Sequence, residues 1–183
     1  MTKEQPPQHE PDVTTEIERK FVIDPAGLEA FVASGVELDN YPHKKIDQGY
    51  LATTDDCAVR VRRKGDKHYL TYKGAPADHA AERIELETEL TEQQFDTMWP
   101  GTVGRRVEKT RYEIPSEDGI HTIELDIFEG DNAGHILAEV EFASTAEADA
   151  FQPPSWFGVD VTADKGYGNA SIAERGFPEP YLK

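Results

Sequence analysis

The sequence predicts a mainly β fold of the α+β class: an eight-stranded antiparallel β-barrel, or a strongly curved sheet, with peripheral helices. Three observations lead there. Apolar and charged residues alternate with period two through eight segments, at residues 15–23, 45–52, 57–64, 67–74, 82–90, 104–113, 120–128 and 134–142, which is strand periodicity. Short turn-forming links join several of them, so the pairing is antiparallel. Helix signals occur only in brief stretches between or after the strands.

Taken in order, residues 1–13 read as a flexible polar tail containing Pro6, Pro7 and Pro11, and residues 14–183 as a single domain. Residues 25–34 suit a helix, with Pro25 in its first turn and Gly35 as a stop. Lys64-Gly65-Asp66 turns the third strand into the fourth, and Pro115-Ser116-Glu117-Asp118-Gly119 turns the sixth into the seventh. Thr91 and Gln94 have capping-box spacing at the head of a helix over 91–98, which Pro100 ends. Two further short helices are expected at 145–151, opened by Ser144 and Glu147, and at 169–175, closed by Gly176. Phe95, Met98 and Trp99 lie at helical spacing and read as core.

The 183 residues carry 19 Lys and Arg against 36 Asp and Glu, a net charge of −17. Such a chain repels nucleic acid and anionic membrane surfaces at long range, so an anionic ligand must be met by a local concentration of cations. The single cysteine, Cys57, excludes a disulfide framework and a cysteine-based zinc cluster. The six histidines, His9, His43, His68, His79, His121 and His135, show no zinc-ligand spacing. The N-terminus lacks an apolar run, so neither a signal peptide nor a membrane anchor is expected, and the expected location is cytoplasmic.

On a strand, residues i and i+2 share a face. Charge–x–charge pairs recur at Glu16, Glu18 and Lys20; Arg60 and Arg62; Arg83, Glu85 and Glu87; Lys109 and Arg111; Glu124 and Asp126; and Glu139 and Glu141, with Lys73 single on its strand. Each pair read singly is the wet face of an antiparallel sheet. Together they differ from one, because carboxylates segregate onto some strands and cations onto others. Seven cations and eight anions nearly balance if they face one enclosed space. Such a space is a poor apolar core but a good cage for a polyanion bridged by a divalent metal. Arg and Lys hold phosphate oxygens and clustered carboxylates hold a hard cation, which favours phosphate with Mg²⁺ or Mn²⁺.

Glu16-Ile17-Glu18-Arg19-Lys20 resembles the Glu-x-Glu-x-Lys signature of CYTH domains, the triphosphate tunnel metalloenzymes. It is followed in order by Gln48-Gly49-Tyr50-Leu51, Val59-Arg60-Val61-Arg62, Leu70-Thr71-Tyr72-Lys73, Glu85-Leu86-Glu87, Glu108-Lys109-Thr110-Arg111-Tyr112, Glu124-Leu125-Asp126-Ile127-Phe128 and Ala138-Glu139-Val140-Glu141-Phe142. Later stretches around Met98-Trp99-Pro100, Trp156-Phe157-Gly158, Asp164-Lys165 and Tyr167-x-Asn169 are similar to the small bacterial inorganic tripolyphosphatases of that family.

The resemblance implies an eight-stranded tunnel barrel that hydrolyses inorganic triphosphate, or another triphosphate-containing small molecule, with Mg²⁺ or Mn²⁺. It implies that Lys20, Arg60, Arg62, Lys73, Lys109 and Arg111, with Arg83 beside them, bind phosphate oxygens. It implies that Glu16, Glu18, Asp126, Glu139 and Glu141 hold metal. Glu85, Glu87 and Glu124 fit a second metal, a water-orienting catalytic role, or simple pairing with the cations. Lys165 fits either a closing segment or a mobile lid that approaches the tunnel, and Trp156 and Phe157 fit either a cap or a subunit contact in a homodimer. The competing readings are a class IV adenylate cyclase or a nucleoside or thiamine triphosphatase on the same fold, and a non-catalytic polyphosphate or divalent-cation binding module.

Overall fold

The computed structural model describes residues 17–54, 56–74 and 84–178. All eight strand segments and all four helices of the sequence reading form. The strands are β1 (Ile17–Val22), β2 (His43–Thr53), β3 (Cys57–Lys64), β4 (Lys67–Gly74), β5 (Ile84–Leu90), β6 (Arg106–Pro115), β7 (Thr122–Phe128) and β8 (Ile136–Phe142). The helices are α1 (Pro25–Ala33), α2 (Glu92–Met98), α3 (Thr145–Ala150) and α4 (Asn169–Arg175). Thr91 and Gln94 close the expected capping box on α2, and Asp24 caps α1 ahead of Pro25. Among the described residues, no helix is long and apolar enough to cross a membrane.

The strands make one antiparallel sheet in the order β1-β8-β7-β6-β2-β3-β4-β5. The sheet is not a hydrogen-bonded barrel, since no pairing joins β1 to β5 among the described residues. The physical reason lies at β1, whose outer edge is taken by residues 159–162. Val22 N donates to Val159 O (2.9 Å), Val161 N donates to Lys20 O (2.9 Å), and Lys20 N donates to Thr162 Oγ1 (3.0 Å). Gly158 permits this docking, because a Cβ there would stand 2.4 Å from Val22 O.

The sheet is nonetheless strongly curved. Tyr50 on β2 and Leu137 on β8 lie three places apart in the strand order, roughly 14 Å along a flat sheet, yet they belong to one apolar cluster. The convex face carries the main core, in which Phe21, Leu125, Val140 and Phe142 pack with Phe151, Trp156 and the partly buried Leu28 and Phe31 of α1. Trp156 stacks on Phe31 at 4.5 Å and Phe157 packs on Phe21 at 4.9 Å, so both aromatics join the main core. On the other half of the convex face Phe95 of α2 is fully buried, stacked on Trp99.

The concave face is apolar at one end only. There Tyr50, Val107, Phe128 and Leu137 pack against Val161, Tyr167, Ile172 and Ala173, so the C-terminal segment seals that end.

Candidate active site

Strand register decides which charges meet. Glu18 stands opposite Glu141 and Lys20 opposite Glu139 on β1 and β8, Glu124 opposite Glu139 on β7 and β8, and Arg111 opposite Asp126 on β6 and β7. Gln48 stands opposite Arg62, Tyr50 opposite Arg60, and Thr71 opposite both Arg60 and Glu87. Alternation along each strand therefore puts Glu18, Lys20, Arg60, Arg62, Lys73, Glu85, Glu87, Lys109, Arg111, Glu124, Asp126, Glu139 and Glu141 on the one concave face. Glu16 and Arg83 lie outside the described residues.

On the β1-β8-β7-β6 wall the ion pairs form a continuous network. Lys20 Nζ reaches Glu18 Oε1 and Glu139 Oε1, each at 2.6 Å. Arg111 forks onto Asp126, with Nε to Oδ1 and Nη2 to Oδ2 both at 2.6 Å, extends Nη2 to Glu139 Oε2 at 2.6 Å, and places Nη1 on Glu124. Lys109, fully buried, donates to Asp126 Oδ2 at 2.5 Å and to Asn169 Oδ1 at 3.1 Å. Burial works to raise the Glu139 carboxyl pKa, but Arg111, Lys20 and Lys109 outweigh it and hold that carboxyl well below the usual range. For Lys109 burial wins over the attraction of Asp126, and the ammonium pKa is lowered.

The β3-β4-β5 wall is looser. Arg60 approaches Glu85 at 3.6 Å, Lys73 bonds Glu85 at 2.8 Å, and Arg62 bonds Glu87 at 2.9 Å while Thr71 donates to the same oxygen at 2.8 Å. Glu85 and Glu87 thus sit in ion pairs with the cations around them. Gln48 Nε2 donates to Tyr50 Oη at 2.8 Å, behind Arg60. The Nε groups of Arg60 and Arg62 are buried and, among the described residues, meet no hydrogen-bond partner. An unsatisfied buried guanidinium donor is costly unless something accepts from it, and an anion between the two side chains would.

The donor set suits a hard cation in kind. Glu18–Glu141 and Glu124–Glu139 are like charges directly opposite across neighbouring strands, an arrangement that is destabilising without counter-charge. Among the described residues no three acidic, histidine or cysteine side chains converge into a preformed metal cage, because Lys and Arg already hold these carboxylates. Carboxylates and cations here neutralise one another, so a metal–polyphosphate ligand must exchange partners with both.

Lys165 lies exposed on the short 3₁₀ turn Lys165–Tyr167 beside the sealed end, next to the fully buried Tyr167. No ion pair among the described residues brings it onto the concave face. Four side chains join the site without a role from the sequence: Gln48, Tyr50 and Thr71 on the concave face, and Asn169. Gln48, Tyr50 and Thr71 carried the same period-two signal as the charged residues, Thr71 beside Lys73, but they are uncharged. Asn169 was marked only by the Tyr167-x-Asn169 resemblance, which gave it no partner, because it arrives from a distant segment.

A CYTH domain model matches residues 14–177. The chain belongs to the CYTH family. This CYTH chain is similar to a protein of Nitrosomonas europaea named inorganic triphosphatase, 43% identical over 160 residues that cover 87% of this chain and 97% of the relative. A second protein of that name, from Acetivibrio thermocellus, is 32% identical over 163 residues, covering 88% of this chain and 95% of the relative. Among solved structures, a crystal structure of an inorganic triphosphatase superposes with a TM-score of 0.66 at 39% identity, over 88% of this chain and 95% of that one. The Pyrococcus horikoshii protein PH1012, with a TM-score of 0.51 at 22% identity over 74% and 84% of the two chains, shares the fold alone.

Proposed function

We propose that this CYTH protein is an inorganic triphosphatase, which hydrolyses inorganic triphosphate to pyrophosphate and orthophosphate with Mg²⁺ or Mn²⁺. The observation that carries the reading is the pair of buried, unsatisfied Nε donors of Arg60 and Arg62 on a concave face that also presents Lys20, Lys73, Lys109 and Arg111. Six cations gathered on one face of a chain whose net charge is −17 suit a compact polyanion with little else to recognise. The names and coverage of the relatives support the same reading.

In this scheme the cations of β3, β4 and β6 hold the phosphate oxygens, with bidentate contacts from Arg60, Arg62 and Arg111. Glu18, Glu124, Asp126, Glu139 and Glu141, together with Glu16, would hold the metal, which when bound neutralises charge on the phosphate oxygens. Glu85 and Glu87 accept hydrogen bonds from the attacking water and orient it. Its oxygen bonds to a terminal phosphorus as the phosphoanhydride bond breaks, its proton passes by way of Glu85 or Glu87 to solvent, and pyrophosphate leaves. Arg83 belongs with the phosphate ligands and Lys165 with the closing segment.

A phosphate-release assay across tripolyphosphate, ATP, thiamine triphosphate and pyrophosphate, with Mg²⁺ and Mn²⁺ in turn, tests the proposal. Turnover should favour tripolyphosphate and vanish in EDTA. Consumption of ATP alone with formation of cyclic AMP would assign the site to a cyclase instead.

A further inference from the structure

The plug at the sealed end is largely apolar among the described residues. Val161, Tyr167, Ile172 and Ala173 present hydrocarbon and ring to the concave face, whereas Asn169 presents an amide. The chain delivers it there firmly, because Tyr167 two residues earlier and Ile172 three residues later are both fully buried. Asn169 Oδ1 meets Lys109 Nζ at 3.1 Å, where the ammonium also lies over the Phe128 ring at 5.6 Å and bonds Asp126 at 2.5 Å. A lysine offers only donors, so the amide must turn its oxygen to it.

We propose that Asn169 is a positioning residue for the polyphosphate site: its amide oxygen holds the Lys109 ammonium against the full pull of Asp126 and aims its remaining N–H at the ligand. This inference rests on the triphosphate reading above. An ammonium has three donors. Asp126 and Asn169 occupy two and the Phe128 ring lies 5.6 Å away, so among the described residues the third is left without an acceptor for a ligand to supply. Both oxygens of Asp126 are also taken by Arg111, at 2.6 Å each. Without a second, neutral acceptor the ammonium would settle wholly into this carboxylate–guanidinium cluster, where phosphate must compete for it. Docking of the C-terminal segment therefore does more than seal the end; it completes a phosphate ligand donated by β6.

The experiment measures inorganic triphosphate binding to the full chain by titration calorimetry in EDTA, for Asn169→Ala and Asn169→Leu, each in the native and in the Lys109→Met background. Leucine fills the amide's volume but supplies no acceptor. The expected result is a roughly tenfold weaker Kd for both variants, the lower end of what a hydrogen bond to a charged group contributes. In the Lys109→Met background that loss should shrink below about twofold, the coupling expected of residues acting as a unit. Recovery of native affinity by leucine, or an equal loss in both backgrounds, would overturn the proposal and leave Asn169 as plug packing or a direct ligand. If the native chain binds triphosphate and all variants bind it equally, only this inference fails. If the native chain binds no triphosphate with or without Mg²⁺, the triphosphatase reading itself fails.

Discussion

Replacing Arg111 by methionine probes the most connected charge in the molecule. Its guanidinium touches Asp126, Glu139 and Glu124, and its side chain is 11% exposed. Methionine keeps much of the stem and removes the fork. Among the described residues, Asp126 and Glu139, at 1% and 6% exposure, then retain ion pairs with Lys109 and Lys20 respectively. Removing one partner of a buried ion pair costs about 3–5 kcal/mol, because a desolvated charge is left behind. The two remaining lysines argue for the lower end, about 3 kcal/mol. At 2–4 °C per kcal/mol for a chain of this size, Tm should fall by roughly 6–12 °C in EDTA. Arg111→Lys keeps the charge without the fork and should fall between the variant and the native chain. The same loss frees carboxylates for a cation, so Mg²⁺ should raise Tm more in Arg111→Met than in the native protein. Thermal unfolding followed by circular dichroism with and without Mg²⁺ reads both effects. A variant as stable as the native chain in EDTA would refute the reasoning, since it would mean that Arg111 is not what holds these carboxylates together.

Glu139 provides a test by pH. Its carboxyl is held well below the usual carboxylate range by Arg111, Lys20 and Lys109 against the opposing effect of burial. A depressed folded-state pKa contributes stability that is present above the unfolded value and is lost as pH falls toward the folded one. Denaturant unfolding in EDTA from pH 7 to pH 3 should therefore show a fall in stability from about pH 5 downward, and Glu139→Gln should flatten part of that fall. Gly49→Ala should destabilise by about 1–3 kcal/mol through overpacking, because the added Cβ would stand 2.5 Å from the side chain of the fully buried Thr102. A midpoint unchanged in urea would mean that Thr102 gives way freely.

The sheet was legible in the sequence because both of its faces have something to say. Ile17, Val61, Leu125 and Val140 alternate with Glu18, Arg60, Asp126 and Glu139, so period two marks each strand and assigns its face. Hairpin chemistry then fixed most neighbours. Closure was not legible, because residues 159–162 show no strand periodicity yet bond to β1 through both backbone and side chains, with Gly158 admitting their close approach. The charged members of the site could be read off directly, while the partners of those charges could not. Asn169 meets Lys109 only through the docking of a segment 60 residues away, anchored by Tyr167 and Ile172. Nor does a carboxylate's type tell whether it will pair with a cation or hold a metal, since Glu85, Glu87 and Glu124 all stand within reach of Lys or Arg.

The central claim is that triphosphate is held and cut on the concave face, against Arg60 and Arg62. The most direct measurement is the time course of inorganic triphosphate followed by ³¹P NMR with Mg²⁺, for the native chain and for Arg60→Ala and Arg62→Ala. The native protein should yield one pyrophosphate and one orthophosphate per triphosphate. Each alanine variant loses charge-assisted hydrogen bonds of about 1.5–3 kcal/mol, so kcat/KM should fall by roughly tenfold to a hundredfold. Native kinetics in both variants would contradict the account and move the chemistry off this face.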